Sequence, residues 1–280
     1  MEKTSVKFEV LMSCMHQENF DIAYRSKVES DLLIINQCDK DDYQEICVNG
    51  YTWRMISTTE RGLSKSRNMA LQNARGEICL LSDDDQVFSD GYAATILHAF
   101  EMLQDATVIA FNIHRIHNDI KKEYYTITAV KEASKWRSFQ SSMLAMKVDD
   151  LKSRDIWFNE KFGSGSDWGG GEETLLQDEI REKHLKIYEY PETIATLDYS
   201  HGSQWFHGFD ERYFFNIGAF SKFKNTSFFM REARYAYLVL IKLRKDKKLS
   251  VLEKLKWIHY GERGIKNDVP YRVFLESRQP

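Results

Sequence analysis

The run Ile78-Cys79-Leu80-Leu81-Ser82 passes without a break into Asp83-Asp84-Asp85. So short an apolar run suits a buried strand better than a helix. A strand of this kind belongs in an α/β sheet, and ligands bind at the carboxyl edge of such sheets. Three consecutive carboxylates at that edge repel one another unless a cation lies among them, so a divalent metal gives the triplet a physical reason. Hard oxygen donors suit Mg²⁺ or Mn²⁺, which takes one or two carboxylates and fills its shell with phosphate oxygens. The pattern therefore points to a nucleotide diphosphate, with an acidic loop capping the next helix as the plain alternative.

The flanking chain alternates short apolar runs with amphipathic stretches, as an α/β fold requires. Residues 8–12, 32–36 and 107–113 read as further strands. Residues 92–103 carry a helical stripe of Ala94, Leu97, Ala99 and Leu103, with Asp90 as the N-cap. A helix over 63–74 stops at Gly76 and delivers the chain into the acidic strand. Its start, Arg61-Gly62-Leu63-Ser64-Lys65-Ser66-Arg67, puts basic residues at a helix N-terminus, a fit for phosphate.

Residues 163–171 (GSGSDWGGG) hold five of the 14 glycines and read as a mobile loop before a helix over 172–183. Residues 185–190 and 193–197 read as two strands hinged at Pro191. From Phe214 the chain turns aromatic and then basic, so the expected division is 1–222 and a helical subdomain over 223–280. Within 235–256, Tyr235, Leu238, Leu243, Leu249, Val251 and Leu252 lie among seven basic residues. That composition suits peripheral contact with the anionic inner face of a membrane, and a solvated helix packed on the catalytic domain suits it equally.

Composition sets limits. A net charge of −3, from 39 Lys+Arg and 42 Asp+Glu, excludes a nucleic-acid binder that works through overall basic charge. Uncharged stretches such as 91–100 and 106–114 fall short of the ~18–20 apolar residues of a spanning helix. Glu2, Lys3, Lys7 and Glu9 interrupt any leader-like run. Cys14, Cys38, Cys47 and Cys79 lack C-x-x-C spacing, so buried thiols in a reducing cytoplasm are expected.

The segment Gly62-Leu63-Ser64-Lys65-Ser66-Arg67-Asn68, followed by Asp83-Asp84-Asp85, resembles the G-x-S-x-x-R-N segment and D-x-D motif of family 2 glycosyltransferases. Gly169-Gly170-Gly171-Glu172-Glu173-Thr174-Leu175 resembles that family's G-x-G-E-D-T-L segment. The likeness covers roughly residues 7–220. It implies an α/β chain of GT-A type, the nucleotide-diphospho-sugar transferase fold, with a mixed, mostly parallel sheet flanked by helices and a C-terminal helical subdomain. The implied activity is inverting and metal-dependent. It moves a sugar from a nucleotide diphosphate donor, a UDP-hexose by family habit, to a carbohydrate or lipid-linked saccharide acceptor in cell-surface polysaccharide or glycoconjugate synthesis.

Residue by residue, the resemblance puts Ser13, Asn36, Gln37 and Asp39 around the base and ribose, with Arg67 supporting that pocket and Asp83 and Asp84 on the nucleotide. Asp85 would ligate Mn²⁺ or Mg²⁺, with His201 near it. Glu173 would be the general base, Glu172 its neighbour and rival, and Trp168, Gly170 and Gly171 would border the acceptor. With Leu175, Leu176 and Ile180 as the buried face, the helical wheel puts Glu172 near the centre of that face and Glu173 at its flank.

The sequence also departs from the pattern. The first strand lacks V-I-I-P-x-Y-N, Glu173 stands where Asp is usual, and no Q-x-x-R-W occurs, which argues against a processive synthase. Two alternatives stay open. A sugar-nucleotide nucleotidyltransferase would carry a glycine-rich loop after the first strand, and residues 13–19 hold no glycine. A non-catalytic carbohydrate-binding or scaffolding protein would keep the acids without the metal.

Overall fold

The structure, a computed structural model, describes residues 6–117, 120–122, 126–198 and 208–277. The chain divides into two compact units, one of residues 1–160 and 172–202, the other of residues 161–171 and 203–280.

The first unit is built on a sheet. Its strands in sequence are β1 (Val6–Met15), β2 (Asp31–Gln37), β3 (Asp42–Val48), β4 (Tyr51–Thr58), β5 (Gly76–Asp83) and β6 (Gln86–Phe88). They continue with β7 (Ala106–His117), β8 (Ile120–Lys122), β9 (Lys131–Glu132), β10 (Leu144–Lys147) and β11 (Lys186–Asp198). The spatial order is β3-β4-β2-β1-β5-β10-β7-β11-β6, with β8 on β7 and β9 on β11. Val10, Leu11 and Met12 of β1 and Leu32 to Ile35 of β2 are buried, as central parallel strands covered on both faces must be.

Helices α1 (Asp21–Arg25), α2 (Leu63–Asn73), α3 (Tyr92–Met102), α4 (Val148–Lys152) and α5 (Glu172–Glu182) complete the first unit. β1 pairs in parallel with β2 on one side and β5 on the other. The chain first winds outward through β2 and β4, then returns to add β5 across β1, so a crevice opens at the carboxyl ends of these strands. The register sets Ser13 beside both Ile35 and Asp83. Farther back in the sheet, Arg54 donates to buried Glu9 at 2.7 Å. The other Glu9 oxygen accepts the Arg75 and Gly76 amides, which anchors the turn from α2 into β5.

Several expectations differ from what is seen. The two strands expected around Pro191 are one strand, β11, whose register against β7 shifts between Glu189 and Thr193. Pro191 has no N–H to give a ladder, so the sheet bulges past it instead of ending. The N-cap of α3 is Gly91 at φ 72°, with no side-chain cap from Asp90. Cys14, Cys38 and Cys79 are buried, but Cys47 is exposed on the edge strand β3.

The second unit holds α6 (Glu211–Phe223), α7 (Phe228–Tyr237), a π-helical turn Leu238–Lys242, α8 (Val251–Lys266) and α9 (Tyr271–Glu276). Phe214, Tyr235, Val239, Leu243 and Ile258 form its core. A Cβ on Gly218 would strike the Ile258 carbonyl, and one on Gly261 the Phe215 carbonyl; the α6–α8 crossing thus needs bare backbone on both helices. Because α6 packs on α8 in this way, the compact units divide near 202 and not at 222/223.

The glycine-rich segment is folded on itself and not a loose loop. Trp168 N–H donates to the Lys161 carbonyl at 3.1 Å and Gly163 N–H to that of Trp168 at 2.9 Å. In the tail, Tyr235 and Leu243, expected on a membrane-facing stripe, are core residues. No helix among the described residues is long and apolar enough to cross a membrane.

Candidate active site

Arg67 is the centre of the crevice. It projects from α2, is 3% exposed, and donates from Nη2 to Asp83 Oδ1 at 3.1 Å and from Nη1 to Glu172 Oε1 at 3.3 Å. Glu173 Oε1 lies 3.7 Å from Nη1. Phe158 lies beneath, 5.5 Å from the guanidinium carbon. Asn68 sets that ring by accepting the Phe158 amide at 2.8 Å and donating to its carbonyl at 2.9 Å. Burial works against the Arg67 charge, but Asp83, Glu173 and Glu172 outweigh it, and its pKa stands above the usual value. Burial and then repulsion from Glu173 raise the Glu172 pKa, with Arg67 opposing.

The two acids at the start of α5 have different surroundings. Glu172 is 6% exposed and committed to Arg67. Its neighbour Glu173 is half-buried at the flank, where Oε1 accepts from both the Ser141 amide and the Ser141 hydroxyl, each at 2.8 Å. Gln177, one turn along α5, is fully buried and bonds both polar backbone groups of Phe139. This ties the first turn of α5 to the segment that carries Ser141.

Asp84 and Asp85 form the turn from β5 to β6 and keep access to solvent. Loss of hydration on their protein side, then repulsion from Asp83, raises the Asp84 pKa. The same causes, with Asp84 added, push Asp85 up to about 6. A carboxyl with a higher pKa folded than unfolded opposes folding once ionised. That opposition is absent below about pH 4 and complete above the folded pKa. Asp85→Asn is therefore expected to raise the melting temperature at pH 7 and leave it unchanged at pH 4, measured without divalent metal. An equal shift at both pH values would show that charge repulsion is not the cause.

The hard oxygens of Asp84 and Asp85, which no ion pair among the described residues neutralises in the way Arg67 neutralises Asp83, fit a divalent cation. The three aspartates do not close into a cage. Among the described residues, the three acid or imidazole side chains that converge within 4.8 Å are Glu232, His259 and Glu262 in the second unit. Those groups are already engaged, since the two imidazole nitrogens face different carboxylates and Arg231 and Tyr235 donate to Glu262. A cation at the aspartate turn would take one or two carboxylates and complete its shell from a ligand.

The remaining expected residues divide. Ser13 lies in the crevice and accepts a hydrogen bond from Ser66 at 2.8 Å. Asn36 is wholly buried, with its amide engaged by Gln17 and Ser57, and Gln37 accepts the Gly62 amide at the mouth of α2. Both hold loops in place, and the Asn36 amide is fully engaged in doing so. Asp39 is exposed at the carboxyl end of β2, paired with Arg61 at 2.6 Å. Trp168 is 1% exposed and stacks on Phe215 at 6.0 Å, so it is a core residue of the second unit and presents no face to an acceptor sugar. Gly170 and Gly171 have positive φ, and a Cβ on Gly171 would strike the Phe220 ring. His201 lies outside the described residues. Gln86, Ser141 and Gln177 were not singled out from sequence, and Ser66 and Asn68 only as letters of the 62–68 motif without a role; buried Gln86 accepts from Ser82 and donates to the Ser142 carbonyl.

No curated protein matches the chain. Among solved structures, residues 1–349 of S. aureus TarS in complex with UDP-GlcNAc align at TM-score 0.60 and 16% identity, over 95% of this chain and 82% of that one. The same fragment in complex with UDP aligns at TM-score 0.57 and 14% identity, over 97% and 91%. At such identities the likeness is one of fold, the GT-A-like arrangement of a mostly parallel sheet between helices. The sequence model of glycosyl transferase family 2 matches residues 11–161, a span that contains Arg67, the aspartate turn and Ser141. That is more than half of the 280 residues, and the chain belongs to glycosyl transferase family 2.

Proposed function

We propose that this glycosyltransferase moves a sugar from a UDP-linked donor to the hydroxyl of a carbohydrate or lipid-linked saccharide, with inversion at the anomeric carbon. The observation that carries the reading is the convergence of Asp83, Glu172 and Glu173 on Arg67 at the strand-end crevice, beside the Asp84-Asp85 turn. The S. aureus TarS fragment, whose fold aligns with this one, is seen in complex with UDP-GlcNAc and with UDP, which supports uridine as the base.

Asp85, with Asp83 or Asp84, would hold Mn²⁺ or Mg²⁺. When bound, the ion supplies positive charge for the departing diphosphate. Asp39, the exposed acid of the nucleotide group, reaches the ribose. Glu173 takes the proton of the acceptor hydroxyl. Ser141 occupies one of its carboxylate oxygens, which leaves Oε2 to face the acceptor. A single displacement, with base and leaving group on opposite faces of the sugar, inverts the anomeric carbon.

Isothermal titration of UDP into the protein, with and without Mn²⁺, tests this. Binding should depend on the metal, and Asp85→Ala should weaken it about tenfold or more, in line with the loss of a metal ligand or its supporting partner, without unfolding the chain. Unchanged Mn²⁺ dependence in Asp85→Ala would overturn the metal assignment, and no UDP heat under either condition would favour a non-catalytic saccharide binder. Hydrolysis rates across a panel of nucleotide sugars then identify the donor.

A further inference from the structure

Along α7 and the π-helical turn after it, Arg231, Tyr235, Val239 and Leu243 are buried. Phe229, Ala233, Tyr237 and Ile241 follow at the same spacing but two residues out of phase. At about 100° per residue, that turns them about 200° away, onto the opposite face. Phe229 is 83% exposed, and Met230, Tyr237, Leu240 and Ile241 are each more than half exposed. Single apolar side chains on a surface are ordinary, but two groups of large ones on one helix face, Phe229 with Met230 and Tyr237 with Leu240 and Ile241, mark a surface that binds something.

The charge around the stripe narrows what that is. Residues 228–256 hold nine Lys and Arg against three Asp and Glu, in a chain whose net charge is −3. Lys242, Arg244, Lys245, Lys247 and Lys248 follow the stripe directly and are all exposed. A symmetric dimer through this face would set the same patch against itself and bring both sets of cations together. An anionic bilayer offers an apolar layer and negative charge at the same surface.

We propose that this face docks on a membrane, with Phe229, Tyr237, Leu240 and Ile241 in the headgroup region and the cations of residues 242–248 on lipid phosphates. The inference rests on the second unit alone and does not depend on the donor or on the chemistry of the first.

Flotation of the full chain with vesicles of phosphatidylcholine, with and without 30% phosphatidylglycerol, at low and high salt, tests it. The chain should float with the anionic vesicles, less at high salt, and scarcely with the neutral ones. Phe229→Asp/Ile241→Asp should lower the partition about tenfold or more by removing buried apolar area, and Lys247→Gln/Lys248→Gln should lower it about tenfold or more by removing two cations. Thermal melts check folding, and should the first variant melt early, the second decides. No flotation of the wild type with anionic vesicles overturns the proposal, as does flotation unchanged in a natively melting variant. Light scattering that finds a dimer dispersed by Phe229→Asp/Ile241→Asp assigns the face to a second copy instead.

Discussion

Glu173→Gln lowers the rate of sugar transfer about 10²–10⁴-fold, the usual contribution of a general base, while UDP affinity and folding stay near native. The amide oxygen of Gln can still accept from the Ser141 amide and hydroxyl, which now meet Glu173 Oε1 at 2.8 Å, so the side chain keeps its place and loses its basicity. Glu172→Gln behaves differently. Glu172 is buried against Arg67, and the Gln amide oxygen can still accept from that guanidinium while a carboxyl with a raised pKa is neutralised, so turnover falls less than in Glu173→Gln and stability at pH 7 is not lowered. Ser141→Ala, which frees the base without removing it, lowers turnover less than Glu173→Gln and leaves UDP affinity alone. Turnover and UDP affinity for the three variants decide the matter. Near-native turnover in Glu173→Gln with a large loss in Glu172→Gln would exchange the two roles.

Arg67→Met destabilises the protein by about 3–5 kcal/mol at pH 7, because it strips the positive partner from a buried group of carboxylates. The methionine fills similar space, so the effect is electrostatic and depends on pH. Glu172 has a raised pKa even with Arg67 present, and without it the pKa rises further. Stability then falls as pH rises from the unfolded value of about 4.3 through the folded one. Urea unfolding should therefore show a smaller deficit at pH 5 than at pH 7. Arg67→Lys recovers only part of the loss, since one ammonium cannot fork to Asp83 and Glu172 together. A variant as stable as wild type at both pH values would mean that the carboxylates are neutralised by some other group.

The parts of this site that could be read from sequence are local. A short apolar run ending in three aspartates suits a buried strand with the aspartates at its carboxyl end, as β5 has it. Two glutamates adjacent on a helix must point about 100° apart, and the wheel placed Glu172 inward and Glu173 at the flank, as the structure has them.

α2 shows where that reading stopped. Ser64, Ser66, Arg67 and Asn68 make up most of its buried face, and hydrophobic periodicity is blind to a helix that turns its polar side inward to line a crevice. Trp168 misled in the opposite direction. An aromatic among glycines serves equally as a sugar platform or a core residue, and only Phe215, 47 positions later in the sequence, decides for the core. In the tail, composition shows that a helix is apolar on two sides and basic at its end, but not which apolar side goes inward.

Local propensity and spacing act over a turn or a strand, so the sequence by itself determined the acidic strand end, the central strands β1, β2, β5 and β7, and the resemblance to the family, but not β3, β4, β6 or β10. Partners such as Ser141 for Glu173, 32 residues apart, or Arg67 for Glu172, 105 apart, exist only once the order of the strands has brought distant segments to one edge. Tertiary structure alone decided them, because burial and charge pairing depend on neighbours in space.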